Sequence, residues 1–163
     1  MITNFLTRFV AVPLMALLFP LLMHGASNPG ARTSEARQLE GTWTVQVTLV
    51  DCQSGNPLGN PFQSLLTFAR GGTLTETTAN PMFFPAERGP GHGYWNFKHH
   101  SYDAVSTAFI TSNGVLAKTQ TITQNIQMGN SDQLSSAATV QFFDPSGNLL
   151  GSGCATATGQ RFK

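Results

Sequence analysis

From Gly41 onward the chain is written in short runs of alternating polar and apolar residues, broken by turn residues. The clearest run is Thr42-Trp43-Thr44-Val45-Gln46-Val47-Thr48-Leu49, apolar at every odd position and polar at every even one. Successive side chains on a strand point to opposite faces, so this period of two predicts a half-buried strand with Trp43, Val45, Val47 and Leu49 inside. Similar runs over 64–69, 73–78, 93–98, 102–111, 115–128, 134–143 and 149–158 follow at short intervals. Arg70-Gly71-Gly72, Ser112-Asn113-Gly114, Gly129-Asn130-Ser131-Asp132 and Asp144-Pro145-Ser146-Gly147 supply turn chemistry between them.

The pattern predicts an all-β domain over 41–163, with about eight antiparallel strands joined mostly by tight turns. Strands in simple succession leave two open edges. Closure into an up-and-down barrel removes both, and a two-sheet β-sandwich is the competing architecture. Along 116–128 the even positions (Leu116, Lys118, Gln120, Ile122, Gln124, Ile126, Met128) are the more apolar set. They are predicted to face inward and to carry Gln120 and Gln124 with them. By the same parity Leu74 brings Glu76 inside, and Gly153, Ala155 and Ala157 on the last strand leave room there.

The N-terminal part follows another pattern. A polar stretch ending at Arg8 precedes the apolar run 9–23, then the small residues Gly25, Ala26 and Ser27 and the breakers Pro29 and Gly30. This is the layout of a signal peptide over 1–27, which places the protein in a secreted or periplasmic compartment. The apolar run, interrupted by Pro13 and Pro20, is shorter than the ~20 residues a spanning helix needs. Residues 28–40 are polar, lack strand alternation, and read as a flexible lead-in with a helical turn near 34–39.

Charge narrows the partners. Beyond residue 27 the sequence holds eight Lys/Arg and eight Asp/Glu with no run of either sign. An electrostatic case for nucleic acid or for an anionic membrane is therefore absent. Two cysteines, Cys52 and Cys154, lie near opposite ends of the domain, and in an oxidising compartment they are expected to pair.

Gly41-Thr42-Trp43 at the head of the first strand resembles the Gly-x-Trp signature of lipocalins and their calycin relatives. In that group the Trp packs near the barrel floor beneath an Arg that follows the last strand, and the resemblance implies that role for Trp43 and Arg161. The Thr-Asp-Tyr motif of the group and its helix after the last strand have no counterpart here. Allene oxide cyclase-like and dirigent-like barrels are alternatives. A register argument bears on the same residues. In a closed barrel the first and last strands are antiparallel neighbours, so paired positions have a constant index sum. Trp43 with Arg161 gives 204 and Cys52 with Cys154 gives 206, two sums one diagonal step apart. One register thus accommodates Trp43 beside Arg161 within and Cys52 facing Cys154 outside.

The densest chemistry is Pro90-Gly91-His92-Gly93-Tyr94-Trp95-Asn96-Phe97-Lys98-His99-His100. It lacks the companions of a zinc site, so a metal role for the histidines is not expected, and no cofactor motif occurs. Three functions follow as expectations. The leading one is an exported barrel binding a small, partly apolar ligand through Glu76, Tyr94, Gln120, Ile122, Gln124 and Phe142. The second is a cyclase or isomerase in which His92, Tyr94 and Glu76 converge as catalytic groups. The third is a structural or interaction protein with a filled core. Met82-Phe83-Phe84-Pro85 is expected to fold down and plug one barrel end.

Overall fold

The computed structural model describes residues 34–163; the signal-peptide reading of 1–27 lies outside the described residues. Nine strands form one antiparallel sheet: β1 Gly41–Val50, β2 Phe62–Phe68, β3 Thr73–Thr78, β4 Glu87–Arg88, β5 Gly91–Lys98, β6 Ser101–Ser112, β7 Val115–Asn130, β8 Gln133–Phe143 and β9 Leu149–Arg161. β4 pairs with Thr111 and Ile110 on the edge of β6 that β5 occupies further along. It thus extends the β5 stave beyond Gly89-Pro90. The remaining pairings run β1-β2-β3-β5-β6-β7-β8-β9 and return to β1, closing an eight-stranded up-and-down barrel. The sandwich alternative is excluded by that closure.

The closing seam has the register the index sums anticipated. β1 and β9 pair from Trp43↔Arg161 to Val50↔Cys154, a constant sum of 204. Cys52 lies two residues past the end of β1, and its disulfide to Cys154 spans a Cα–Cα distance of 5.2 Å. Parity holds around the barrel: odd positions of β1, β5 and β9 and even positions of β2, β3, β6, β7 and β8 face inward. Bulges near Ile110/Thr111, Met128/Asn130 and Phe142/Phe143 locally kink the long strands, which adds to the twist a closed sheet requires.

The interior divides into two halves. The lower half is solid. Trp43, Leu39, Phe68, Leu74, Trp95, Tyr102 and Ile126 form its buried cluster. Its rings meet edge to face or tilted, Phe68 to Trp95 at 6.1 Å and Phe97 to Tyr102 at 5.1 Å between centroids. Such geometry suits the ring quadrupole. Indole N–H groups inside a core need acceptors: Trp43 Nε1 donates to Leu39 O at 2.9 Å, and Trp95 Nε1 to Ala69 O at 3.1 Å.

The second half of the expected lead-in belongs to this floor. Residues 34–37 make a helical turn, Leu39 is fully buried, and the Tyr102 hydroxyl donates to Glu35 O. Burial, and then the Glu35 carboxylate, push the Tyr102 phenol above its ordinary pKa. Arg161 locks the segment. Its guanidinium lies 4.3 Å from the Trp43 ring centroid and donates to Glu40 O at 2.7 Å, Gln38 O at 2.6 Å and Ser131 O at 2.8 Å. Residues 34–40 are therefore a plug, held by a cation at the far end of the chain. The expected plug, Met82-Phe83-Phe84-Pro85, stands at the opposite end and covers it only in part: Phe83 turns inward, whereas Met82 is 75% exposed and Phe84 87%.

Candidate functional site

The upper half of the barrel is hollow. About 80 Å³ there is open to the centre of a water molecule, several times what one water requires. The walls are mostly apolar: Val45, Val47, Leu66, Ile122, Val140 and Ala155. Ser136, Ala138 and Ala157 keep the β8–β9 side shallow. At the upper rim lies a vestibule of about 280 Å³ that adds Leu58, Met82, Lys118 and Phe142, reaches the outward-facing Val50, Ser152 and Cys154, and shares Leu49, Asn80, Phe83, Gln120 and Val140 with the inner cavity. Up-and-down topology puts four connections at this end, and their tips expose Leu58, Met82, Phe84, Val115 and Leu149.

One polar cluster is built into the wall. Arg88, on the two-residue β4, turns a side chain that is only 2% exposed into the barrel to meet Glu76, itself 5% exposed. The guanidinium pairs with the Glu76 carboxylate through Nη2, donates through Nε to Gln120 Oε1, and donates through Nη1 to Gly89 O at 3.1 Å. The Phe83 ring covers it, with the guanidinium carbon 5.9 Å from the centroid. A buried ion pair repays desolvation only with good geometry and further hydrogen bonds, and the Gln120 and Gly89 oxygens supply two of these. Gly91 makes the room: a Cβ there would lie 2.8 Å from Glu76 Cδ and 3.0 Å from Cγ.

Two other polar atoms in the cavity are unsatisfied among the described residues. Ser106 Oγ and Thr78 Oγ1 are buried without a hydrogen-bond partner among the described residues. Gln124 is also buried and lines the same space. Ser64 is satisfied by donating to Thr77 O at 2.6 Å.

The structure sorts the residues singled out from sequence. Glu76, Gln120, Ile122 and Gln124 line the cavity together, and Phe142 lines the vestibule, its ring centroid 4.9 Å from Lys118 Nζ. Tyr94 and His92 are corrections. Both lie on the outer face of β5, where Tyr94 is 57% exposed, while Glu76 faces inward on β3. Strand alternation is the reason: Gly91, Gly93, Trp95 and Phe97 take the inner face, so the even positions point out. His92, Tyr94 and Glu76 therefore do not converge, and the catalytic arrangement they were expected to form does not exist. His99 and His100 are not strand residues. They are the two central residues of the β5–β6 hairpin, with φ of +50° and +66°, the sign a type I′ turn demands. Their placement separates them from His92 at the other end of β5. The core is packed in the lower half and leaves a cavity in the upper half.

Arg88 and Ser106 were missed. Arg88 sits in the Pro/Gly-rich stretch 79–91, where no alternation gives it a side. Ser106 was legible, because its even parity matches Tyr102, Ala104 and Ala108 on the inner face of β6.

Comparison with known proteins adds little to this geometry. No family model and no curated protein matches the chain. Among solved structures, EF1p2_mFAP2b bound to DFHBI is 19% identical, covering 77% of this chain and 95% of that one, with a TM-score of 0.47. A protein of unknown function from the DUF3598 family of Nostoc punctiforme is 12% identical, covering 77% of this chain and 48% of that one, with a TM-score of 0.38. Likeness at that level carries no function across. The barrel rests on this chain's own strand pairing.

Proposed function

We propose that the protein is exported through its first 27 residues and that its barrel takes up a small, partly apolar molecule from the upper end. The contact residues in this reading are Glu76, Gln120, Ile122 and Gln124 in the cavity and Phe142 in the vestibule. The observation that carries it is the pair of hydroxyls, Ser106 Oγ and Thr78 Oγ1, left without partners among the described residues in a hollow whose walls are mostly apolar. A buried polar group without a partner costs about 1–3 kcal/mol, and a barrel serving only as a scaffold gains nothing from two. Apolar walls with a few convergent polar groups are the make-up of a small-molecule site. The disulfide fits an oxidising compartment. The outer face, rich in threonine (Thr42, Thr44, Thr67, Thr75, Thr107, Thr121), suits a barrel standing in water.

The test is amide NMR of the full chain, purified as the cell delivers it, titrated with single-ring aromatic probes. Saturable shifts confined to the inward positions of β2, β3, β7 and β8 are expected. Shifts restricted to the outer wall, or none, would refute the reading. Export is tested separately by N-terminal sequencing of protein recovered outside the cytoplasm, with a new terminus expected near Ala26 or Ser27. Recovery with residues 1–27 intact from the cytoplasm alone would contradict it.

A further inference from the structure

The ionic inventory of the cavity restricts what could fill it. Glu76 lines the space, but Arg88, which neutralises it, does not. The guanidinium is committed on three sides, to Glu76, Gln120 and Gly89 O, and is covered by Phe83. No cation is therefore offered to a ligand carboxylate, which would give up its hydration there without a compensating charge. A ligand ammonium gains no net attraction either, because any position close to Glu76 feels the opposing charge of Arg88 beside it. Lys118, the other cation near the site, belongs to the vestibule, where it lies over the Phe142 ring.

The two fully buried side-chain atoms without a partner among the described residues, Ser106 Oγ and Thr78 Oγ1, are uncharged. A hydroxyl both donates and accepts, so it suits a ligand group that does the same. Resting on the binding function proposed above, we infer that the ligand class is neutral: an apolar body carrying a hydroxyl or amide group. That group meets Ser106 and Thr78, with Gln124 lining the same space. The Arg88–Glu76 pair holds the wall polar but electrically balanced, and so discriminates against acids and amines of the same shape. The 80 Å³ of inner space limits the enclosed part to about one ring or a short chain, and a longer ligand extends into the vestibule.

Four probes sharing one body separate these statements: benzyl alcohol, toluene, benzoate and benzylamine, each titrated at pH 7 into the full-length protein and followed by amide NMR. Benzyl alcohol is expected to bind roughly tenfold more tightly than toluene, since a site with built-in hydrogen-bonding groups rejects the analogue lacking them, and to exceed both ions by at least as much. In Ser106→Ala, or in the near-isosteric Thr78→Val should the first fail to fold, the alcohol-to-toluene ratio should fall to roughly threefold or less. Benzoate or benzylamine binding as tightly as the alcohol would overturn the neutral class. Toluene matching the alcohol would overturn the role of the hydroxyls. In both cases binding in the barrel would survive, whereas failure of all four probes to perturb inward-facing residues would overturn the binding reading itself and this inference with it.

Discussion

Replacing Arg161 with Ala should release the barrel floor. The side chain, 24% exposed, is the common partner of three backbone carbonyls, those of Gln38, Glu40 and Ser131, and it covers the Trp43 ring. Hydrogen bonds from a charged donor contribute ~1.5–3 kcal/mol when buried. Water can reach part of this site, so about 0.7 kcal/mol for each freed carbonyl is the safer figure, giving roughly 2 kcal/mol for three. Loss of the contact with Trp43 adds ~1 kcal/mol. The total, ~3 kcal/mol, corresponds to a fall in Tm of roughly 10–15 °C for a domain of this size. Arg161→Lys keeps the charge beside Asp132 but cannot fork across separate carbonyls, so it should lose about 2 kcal/mol. Urea and thermal unfolding with the disulfide intact measure both. A loss below ~1 kcal/mol for the alanine variant would refute the locking role. A lysine variant equal to the parent would show that charge alone, and not the fork, holds the floor.

Three further outcomes are expected. Gly91→Ala would drive its Cβ into Glu76, 2.8 Å from Cδ, and separate it from Arg88; breaking a buried pair costs ~3–5 kcal/mol, so a urea midpoint unchanged from the parent would contradict the cluster. The Cys52–Cys154 bridge closes a separation of 102 residues, for which chain entropy allows up to ~4.7 kcal/mol. Thiol titration of unreduced, denatured protein should find no free thiol, and Cys52→Ser with Cys154→Ser should lower the urea midpoint. Asp132 is held below the ordinary aspartate pKa chiefly by its hydrogen bond from Lys163, at 2.8 Å, with Arg161 adding to it. A depressed carboxyl contributes stability above its unfolded pKa, near 3.9, and loses it as pH falls through the folded value. Urea midpoints from pH 6 to 2 should therefore drop less steeply in Asp132→Asn than in the parent, and parallel curves would refute the assignment.

How much of this was legible depends on whether the controlling interactions are local. The strands could be read because an alternating run such as 42–49 declares its own inner face. The seam could be read because closure forces a constant index sum, which Trp43 and Arg161 satisfy at 204. Part of the polar cavity lining followed from parity: Glu76 through Leu74, and Gln120 and Gln124 through Ile122 and Ile126. His92 and Tyr94 were misplaced because richness in functional groups was given more weight than the parity of Trp95 and Phe97 beside them. Arg88 was beyond that method, since its direction is set by two pairings to Ile110 and Thr111 and by the carboxylate waiting on β3. The floor plug was hidden for the same reason. Beyond the helical turn read near 34–39, nothing in residues 34–40 signals docking until Arg161, more than a hundred positions later, captures their carbonyls.

In the proposed function the upper barrel is a ligand cavity whose uncharged hydroxyls await a partner. The most direct measurement is a crystal structure of the protein saturated with benzyl alcohol. The ring is expected against Val45, Val47 and Ile122, with the alcohol oxygen within hydrogen-bond distance of Ser106 Oγ or Thr78 Oγ1 and the Arg88–Glu76 pair intact. A cavity closed by inward collapse of its side chains, or the alcohol held only on the outer wall, would contradict it.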